Sequence, residues 1–265
     1  MIGIFDSGVG GLTVVKEIFK YLPEYQIIYF GDSARLPYGT RSASFVKKYS
    51  GKITDWLLHR NAKIIIVACN TASSLAADFL KNKYKGVTVF EMINPAVTKA
   101  LATTKNKKIG IIGTRGTIKS NSYRQKFLEA DASLQIFSQP CPLLVPLVEE
   151  GMLDDKVTIE MLRTYLQPLK EKGIDTLVLA CTHYPLLKKI IEDTIDSGVK
   201  VINPAEILAK QVETYLEENP SLAKKMKKGS QHKFFFSDEP YNIEKISQLC
   251  FNKKINFIVK NPFDG

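Results

Sequence analysis

Two cysteines stand in the same local setting at distant points of the sequence. Cys69 follows the apolar run Ile64 to Ala68, Cys181 follows the apolar run Leu177 to Ala180, and polar residues come directly after both. A free thiol has a pKa of about 8.5 and a helix N-terminus favours the thiolate, so such a pair can serve as a base and an acid near neutral pH. The pair therefore indicates proton-transfer chemistry.

The other two cysteines are interpreted as core residues. Cys141 lies between two prolines, and Cys250 lies on the apolar face of a predicted helix. The four cysteines are widely spaced and form no C-x-x-C pair, which argues against a disulfide framework and against a zinc site. No metal site is predicted.

Two further titratable residues lie at strand ends. His183 stands two residues after Cys181, where it could polarise that thiol, hold a substrate carboxylate, or bond only to the backbone. Asp6 ends the first predicted strand, where a carboxylate could cap the next helix, bind an ammonium group or assist a thiol. The residues alone leave these alternatives open.

Two loops add groups that could contact a ligand. Gly8 to Gly11 lacks the Gly-Lys-Ser/Thr ending of a phosphate loop, so it predicts a tight strand-to-helix turn whose amides could hold a carboxylate. The loop from Gly31 to Gly39 is rich in turn-forming residues, and its Tyr38 could close over a ligand.

Short apolar runs alternate with helical patterns along the whole chain, which is typical of an α/β fold with mainly parallel sheet. The predicted strands are Ile2 to Phe5, Gln26 to Gly31, Lys63 to Ala68, Val87 to Glu91, Lys108 to Gly113, Leu134 to Ser138, Thr176 to Ala180, Val199 to Asn203, Lys233 to Ser237 and Asn256 to Val259. The clearest predicted helices are Leu12 to Tyr21, Ala43 to Arg60, Ile118 to Ala130 and Val157 to Lys172. In such folds, ligands bind beyond the carboxyl ends of the strands, where Asp6, Cys69 and Cys181 all lie.

Three landmarks of the first half recur in the second half, in the same order and at nearly constant separation. They are the glycine-containing strand at Gly3 and Gly110, the Ala-Cys pair at Cys69 and Cys181, and the Asn-Pro-Ala sequence that begins at Asn94 and Asn203. We expect two similar α/β lobes related by a pseudo-twofold axis, with the active site in the cleft between them.

The predicted division assigns residues 1–97 and 206–265 to the first lobe, to which the C-terminal segment returns, and residues 98–205 to the second lobe. With the lobes facing each other, Cys69 and Cys181 would reach the cleft from opposite sides. That geometry suits the removal of a proton from one face of a tetrahedral carbon and the return of a proton to the other face.

The composition is that of a folded globular protein, with 45% apolar and 24% charged residues. No apolar run reaches membrane-spanning length. Met1 is followed directly by the strand-like Ile2 to Phe5 without a basic leader, so we expect a cytoplasmic protein.

The net charge is +10, and lysines crowd at Lys224 to Lys228 and at Lys253 and Lys254. Such charge could attract nucleic acid or an acidic partner, but no aromatic interleaving and no zinc-finger or RNP signature accompanies it. A solvated lysine face is the favoured interpretation, and nucleic-acid binding is not expected.

Four segments of the chain resemble the motifs of glutamate racemases. They are Phe5 to Leu12, Gly31 to Gly39, Val67 to Ser73 and Leu179 to Pro185. Aspartate racemases, which are related and also cofactor-independent, typically carry histidine after the Cys-Asn-Thr-Ala of the third segment, where this chain has Ser73. The resemblance therefore favours glutamate over aspartate.

The resemblance implies that Cys69 takes a proton from D-glutamate and that Cys181 takes one from L-glutamate, each thiol protonating the opposite face. It also implies assisting roles for Asp6, His183 and Glu149. The implied substrate contacts are mostly small hydroxyls, amides and backbone N–H groups, which suit two carboxylates and an ammonium group. They are Asp6, Ser7, Tyr38, Gly39, Asn70, Thr71, Thr114, Thr117, Thr182 and His183.

The same resemblance implies a reaction without pyridoxal phosphate or any other cofactor, a role in supplying D-glutamate for peptidoglycan, and a homodimer. Without an electron-sink cofactor, the site must stabilise a developing carbanion by preorganised dipoles, and closure of the two lobes is the expected means of excluding water. Two alternatives stay open. One is an aspartate or broader amino-acid racemase, and the other is a basic binding protein that would tolerate the loss of both cysteines.

Overall fold

The computed structural model describes residues 1–263, and its strands alternate with helices along the chain. The strands are β1 (Ile2–Asp6), β2 (Ile27–Gly31), β3 (Ile64–Val67), β4 (Thr88–Glu91), β5 (Lys108–Gly113), β6 (Gln135–Pro140), β7 (Thr176–Ala180), β8 (Lys200–Ile202), β9 (Lys233–Phe236) and β10 (Ile258–Val259). Every predicted strand is present, with ends that differ by at most two residues.

The helices connect these strands and cover the sheets. They are α1 (Leu12–Tyr21), α2 (Ala43–His59), α3 (Asn70–Lys83), α4 (Ile93–Leu101), α5 (Arg115–Lys119), α6 (Ser122–Ala130), α7 (Leu144–Glu149), α8 (Lys156–Glu171), α9 (Lys188–Thr194), α10 (Pro204–Glu218), α11 (Pro220–Ala223) and α12 (Ile243–Phe251). Short 3₁₀ helices span Ser33–Arg35, Tyr38–Thr40 and Tyr184–Leu187.

The strands form two parallel sheets with the same internal connectivity. The first sheet has the order β10-β9-β2-β1-β3-β4, and the second has the order β6-β5-β7-β8. The orders β2-β1-β3-β4 and β6-β5-β7-β8 match strand for strand, with β3 and Cys69 corresponding to β7 and Cys181. The predicted fold class, an α/β protein with two similar parallel-sheet lobes, is confirmed.

Central strands are apolar throughout because helices cover both faces of each sheet. All residues of β1, β2, β3 and β7 are buried. Continuous apolar runs of this kind are typical of strands in parallel sheets that helices cover on both faces.

The C-terminal segment returns to the first sheet. Strand β9 pairs with β2, and β10 pairs with β9, both in parallel. Between the lobes, α10 packs against α1 and also against α4. The division of the chain at residues 97 and 205 stays an interpretation of this topology.

One predicted helix is wrong. The pattern from Ile118 to Ala130 predicts a single helix, but the chain forms α5 and α6 with a break at Asn121, whose φ is 61°. The Ser120 hydroxyl donates to the Thr117 carbonyl at 2.6 Å and accepts from the Ser122 amide at 3.3 Å. These local side-chain bonds compete with helical ones, and asparagine tolerates the left-handed backbone that the break needs.

The C-terminal return is expected to contribute strongly to stability through Phe236. This side chain is fully buried, and its ring lies 5.7 Å from the ring of Tyr29 on β2. We expect Phe236→Ala to lower the free energy of unfolding by about 3–5 kcal/mol, because it leaves a cavity between β9 and its neighbours. Urea unfolding followed by circular dichroism measures this change.

Ile258→Ala is the matched control on the same segment. Ile258 is 53% exposed, so its truncation is expected to change stability by no more than about 0.5 kcal/mol. Equal effects of the two substitutions would contradict a core role for Phe236.

Candidate active site

A cavity of about 320 Å³ lies where the carboxyl ends of the two sheets meet. Both lobes line it. The lining residues are Ser7, Leu36, Pro37, Tyr38, Gly39, Cys69, Asn70, Thr71, Thr114, Val145, Ala180, Cys181, Thr182 and His183. One thiol from each lobe therefore borders the same enclosed space.

Cys69 occupies the N-cap of the 14-residue helix α3. Its Sγ accepts the Ala72 amide at 3.4 Å and lies 3.7 Å from the Ser7 hydroxyl. Burial raises the pKa of the Cys69 thiol to about 12 and the charge of Asp6 adds to this, although the Ala72 amide and the Ser7 hydroxyl act in the opposite direction. Cys69 is therefore a neutral thiol near neutral pH, a state suited to donating a proton.

Cys181 is placed differently, at the start of a short chain of side chains. Its Sγ lies 3.8 Å from Nδ1 of His183, and Nε2 of His183 lies 2.9 Å from Oε1 of Glu149 at the end of α7. Burial alone would lower the pKa of His183, but its contacts with Cys181 and Glu149 outweigh burial and raise the pKa to about 10. A protonated imidazole beside Cys181 stabilises negative charge on that sulfur.

Asp6 lies beneath the cavity and is fully buried. Its Oδ2 accepts the Gly8 amide at 3.0 Å, and its Oδ1 accepts the Thr182 hydroxyl at 3.3 Å. Burial raises the pKa of Asp6, while the charge of His183 acts in the opposite direction. Asp6 thus bonds to its own loop, through the amides of Gly8 and Gly11, and to the second lobe.

The glycine-rich turn after Asp6 allows the second lobe to approach closely. A Cβ on Gly10 would lie 2.5 Å from Nδ1 of His183 and 2.6 Å from Oγ1 of Thr182. The Thr13 hydroxyl donates to the Thr182 carbonyl at 2.8 Å. The turn from Gly8 to Gly11 therefore serves to seat His183, a role that its sequence pattern does not reveal.

Hydroxyl groups join the two lobes at another side of the cavity. Thr71 Oγ1 lies 2.9 Å from Thr114 Oγ1 and 3.1 Å from Thr117 Oγ1. Next to them, the Tyr123 hydroxyl donates to Oδ1 of Asn70 at 2.6 Å. The amide nitrogen of Asn70 is buried and has no hydrogen-bond partner among the described residues, so it is a donor available to an oxygen ligand.

Tyr38 forms a fixed part of the wall. Its hydroxyl donates to Oδ2 of Asp32 at 2.6 Å, and the residue is 1% exposed. Asp32 also holds Arg35 at 2.7 Å, so this arginine does not reach the cavity lining. Tyr38 is already packed against the site, where the sequence left open that it could close over a ligand.

The structure brings most of the predicted site residues together, but three lie behind the lining. Asp6 contacts Thr182, Thr117 contacts Thr71 and Thr114, and Glu149 contacts His183. These three act on the cavity through other side chains.

Four lining residues carried no predicted role, namely Leu36, Pro37, Val145 and Ala180. Leu36 and Pro37 belong to the segment from Gly31 to Gly39, whose turn-forming residues indicated a possible ligand contact. Nothing in the sequence indicates that Val145 lines the cavity. Ser73, which separates the glutamate from the aspartate motif, lies outside the lining and donates to the Val67 carbonyl at 3.0 Å.

The lysine-rich C-terminal segment contributes to a different surface. Lys225, Lys227 and Lys233 line a groove with Arg60 and Lys63, on the side of the first sheet where the strands begin. No lysine or arginine is among the residues that line the cavity within residues 1–263. That nucleic acid is not bound stays a prediction.

Two kinds of feature are absent from residues 1–263. None of the helices formed by these residues has the length and apolarity needed to cross a membrane. The same stretch contains no group of three or more His, Cys, Asp or Glu side chains arranged to hold a metal ion.

The chain is similar to known racemases over nearly its whole length. A family profile described as Asp/Glu/Hydantoin racemase matches residues 2–212. A protein named glutamate racemase from Geobacter metallireducens is 44% identical over 254 residues, which is 96% of this chain and 93% of the relative.

Solved structures show the same similarity to racemases. Glutamate racemase isoform RacE1 from Bacillus anthracis superposes with a TM-score of 0.91 at 36% identity, over 98% of this chain and 96% of that one. Glutamate racemase from Francisella tularensis, solved in complex with D-glutamate, gives a TM-score of 0.88 at 32% identity, over 97% and 96% of the two chains. The fold and these similarities define a two-lobed α/β racemase. The chain belongs to the Asp/Glu/hydantoin racemase family, which confirms the resemblance that the motifs indicate.

The contact of His183 with Glu149 is expected to keep the imidazole protonated. We expect His183 to titrate at a higher pH than His232, whose pKa is lowered by burial and by Lys253. Glu149→Gln removes a negative partner, so it is expected to lower the pKa of His183 by about one unit or more.

Imidazole resonances followed by NMR over a pH titration measure both quantities, and the chain contains only three histidines to assign. His183 resonances that titrate at the ordinary histidine value in both proteins would contradict the assignment of charge to this residue.

Proposed function

We propose that the protein interconverts L-glutamate and D-glutamate without a cofactor, by proton transfer between the substrate α-carbon and the thiols of Cys69 and Cys181. The observation that carries this proposal is that each lobe contributes one thiol to the same buried cavity. The relatives named glutamate racemase and the bound D-glutamate of the Francisella structure support glutamate as the substrate.

In the L-to-D direction, Cys181 acts as a thiolate and takes the α-proton of L-glutamate. The bonding electron pair stays on the α-carbon, and the Cys69 thiol donates its proton to the opposite face. The products are D-glutamate, a Cys181 thiol and a Cys69 thiolate. The reverse reaction begins from that last protonation state, so atoms and charges balance in both directions.

The geometry and the direction of two pKa shifts support this order of events. The imidazole of His183, whose pKa is raised, lies 3.8 Å from the Cys181 sulfur, and the raised pKa of Cys69 keeps that residue as the proton donor. Glu149 and Asp6 assist through His183 and Thr182 without bordering the cavity.

Neutral donors recognise the carboxylates of the substrate in this proposal. His183 is the one residue that can carry positive charge among those described that line the cavity. The unpartnered amide nitrogen of Asn70, the hydroxyls of Ser7, Thr71 and Thr114, and the N-terminus of α3 supply hydrogen bonds and a favourable dipole. Donors fixed in place before the reaction also stabilise the charge that builds up as the α-proton leaves.

We also propose that the protein supplies D-glutamate for the peptidoglycan peptide. We expect it to be cytoplasmic and to form a homodimer. The activity of the racemase family supports the product, whereas the location and the oligomeric state are expectations from the resemblance. Sedimentation velocity of the purified protein tests the dimer directly.

Purified protein incubated with L-glutamate in D₂O, with no cofactor added, is expected to form D-glutamate that carries deuterium at the α-carbon. Chiral chromatography with mass spectrometry measures both. L-aspartate in the same assay is expected to give a kcat/KM at least about tenfold lower, because specificity for one extra methylene is worth about 1–3 kcal/mol.

Exchange with neither glutamate enantiomer would exclude the proposal. Faster turnover of aspartate would assign the chain to the broader racemase activity that the sequence left open.

Serine substitutions test the separate roles of the thiols. Cys69→Ser and Cys181→Ser are each expected to abolish racemisation, since a hydroxyl is a far weaker base than a thiolate. Cys69→Ser should retain α-proton exchange with solvent only for L-glutamate, and Cys181→Ser only for D-glutamate, because one base reaches one face. Proton NMR of the substrate in D₂O measures the exchange.

Cys250→Ala is the control, since Cys250 is buried in α12 and does not line the cavity. It is expected to racemise glutamate as the unmodified protein does. Retained racemisation in the Cys69→Ser and Cys181→Ser double variant would favour the alternative of a binding protein or another mechanism.

A further inference from the structure

The segment that leads into α12 lies against the turn that carries Glu149. The Nδ2 of Asn242 donates to the Glu149 carbonyl at 2.6 Å, and the Nζ of Lys245 donates to the Gly151 carbonyl at 3.1 Å. The Tyr241 hydroxyl donates to Oε2 of Glu150 at 3.2 Å. Three successive residues of the turn are thus held by one short piece of the C-terminal segment.

The turn is shaped for this contact. Gly151 has a φ of +74°, and a Cβ there would lie 2.0 Å from Nζ of Lys245. Glycine suits this left-handed backbone, and a side chain there would displace the flexible end of Lys245. The turn that carries Glu149 and the C-terminal segment therefore fit closely against each other.

Asn242 suits its position for two separate reasons. Its φ is 51°, in the left-handed region that asparagine tolerates better than most residues. Its amide also supplies a donor to the Glu149 carbonyl, which lies at the C-terminal end of α7 and has no later helical amide to accept. Glycine would satisfy the first requirement alone, and aspartate would place a second acceptor against the carbonyl.

The same residue connects to the cavity in two steps. Asn242 fixes the backbone of Glu149, the Glu149 carboxylate contacts Nε2 of His183, and Nδ1 of His183 faces Cys181. The C-terminal segment belongs to the first sheet through β9 and β10, whereas Glu149 and His183 belong to the second lobe. The first lobe thereby helps to hold His183 of the second lobe in place.

We propose that Asn242 is a positioning residue for the reaction, which holds Glu149 where it keeps His183 oriented on Cys181. The effect on rate rests on the proposed function, whereas the effect on His183 does not. The side-chain amide of Asn242 bonds to the Glu149 carbonyl, and neither Asn242 nor Glu149 is among the residues that line the cavity, so we expect Asn242 to act through Glu149.

Several charged and titratable groups face this chain of contacts. Cys181, Glu149 and Asp6 act on His183. Around the turn lie Glu150, which holds Tyr241, and Lys245, while Arg115 borders the same groove as Glu149 and Glu150. Uncharged substitutions at Asn242 alter none of these groups, so a change in the titration of His183 reports on the placement of Glu149.

The experiment compares Asn242→Gly and Asn242→Leu with Asn252→Gly. Asn252 ends the same helix with a φ of 54°, so its replacement changes the same residue type in the same backbone conformation, away from the turn. Circular dichroism checks the fold of each variant, and Asn242→Leu, which keeps the approximate size of the side chain and adds no charge, guards against a failure of the glycine variant to fold.

Both Asn242 variants are expected to lower the pKa of His183 by about one unit in NMR titrations and to shift the alkaline limb of the kcat profile to lower pH. They should also lower kcat for glutamate about tenfold, as loss of an orienting partner typically does, with a KM that changes less than about twofold. Asn252→Gly should match the unmodified protein in each measurement.

An unchanged His183 titration in folded Asn242→Gly and Asn242→Leu proteins overturns the proposal, even if their thermal stability falls. A shift equal to theirs in Asn252→Gly also overturns it. If the unmodified protein does not racemise glutamate while the Asn242 variants still shift His183, the proposed function fails and the positioning role stands.

Discussion

Positive charge enters the cavity at one residue, His183, and the groups around it must accommodate that charge. His183 is 2% exposed, and no lysine or arginine lines the cavity within the described chain. An unpaired buried charge costs several kcal/mol, so the imidazolium requires a negative partner. Glu149 lies on one side and Cys181 on the other. The charge of His183 also opposes the effect of burial on Asp6.

The duplicated halves prepare equivalent thiols by different means. Cys69 caps a 14-residue helix and accepts a backbone amide, whereas Cys181 precedes a 3₁₀ helix of four residues that contains Pro185. Proline has no amide hydrogen to donate, and so short a helix has little dipole. An imidazole therefore replaces the backbone as the partner of the second thiol. One fold unit, used twice, has diverged in the few residues that follow its cysteine.

Sequence patterns predict features that depend on residues close together in the chain. They do not predict features that depend on packing between residues far apart in the sequence. The central strands β1, β2, β3 and β7 could be predicted because all their residues are buried and they read as mainly apolar runs, and the two cysteines because they follow such runs. The break at Asn121 depends on hydroxyl bonds made by Ser120, which a helical periodicity does not register. The contribution of Gly10 depends on how close His183 approaches from the other lobe, and no pattern around Gly10 encodes that distance.

The parallel pairing of β9 with β2 has a consequence for the order in which the chain can fold during synthesis. Residues 108–202 contain all the strands of the second sheet, whereas the first sheet needs β9 and β10, which the ribosome makes after everything else in that sheet. The second lobe can close while the nascent first lobe still presents β2 as a bare edge, the kind of edge that invites incorrect pairing. Until translation reaches residue 236, that edge needs protection, by a chaperone or by rapid completion of the chain.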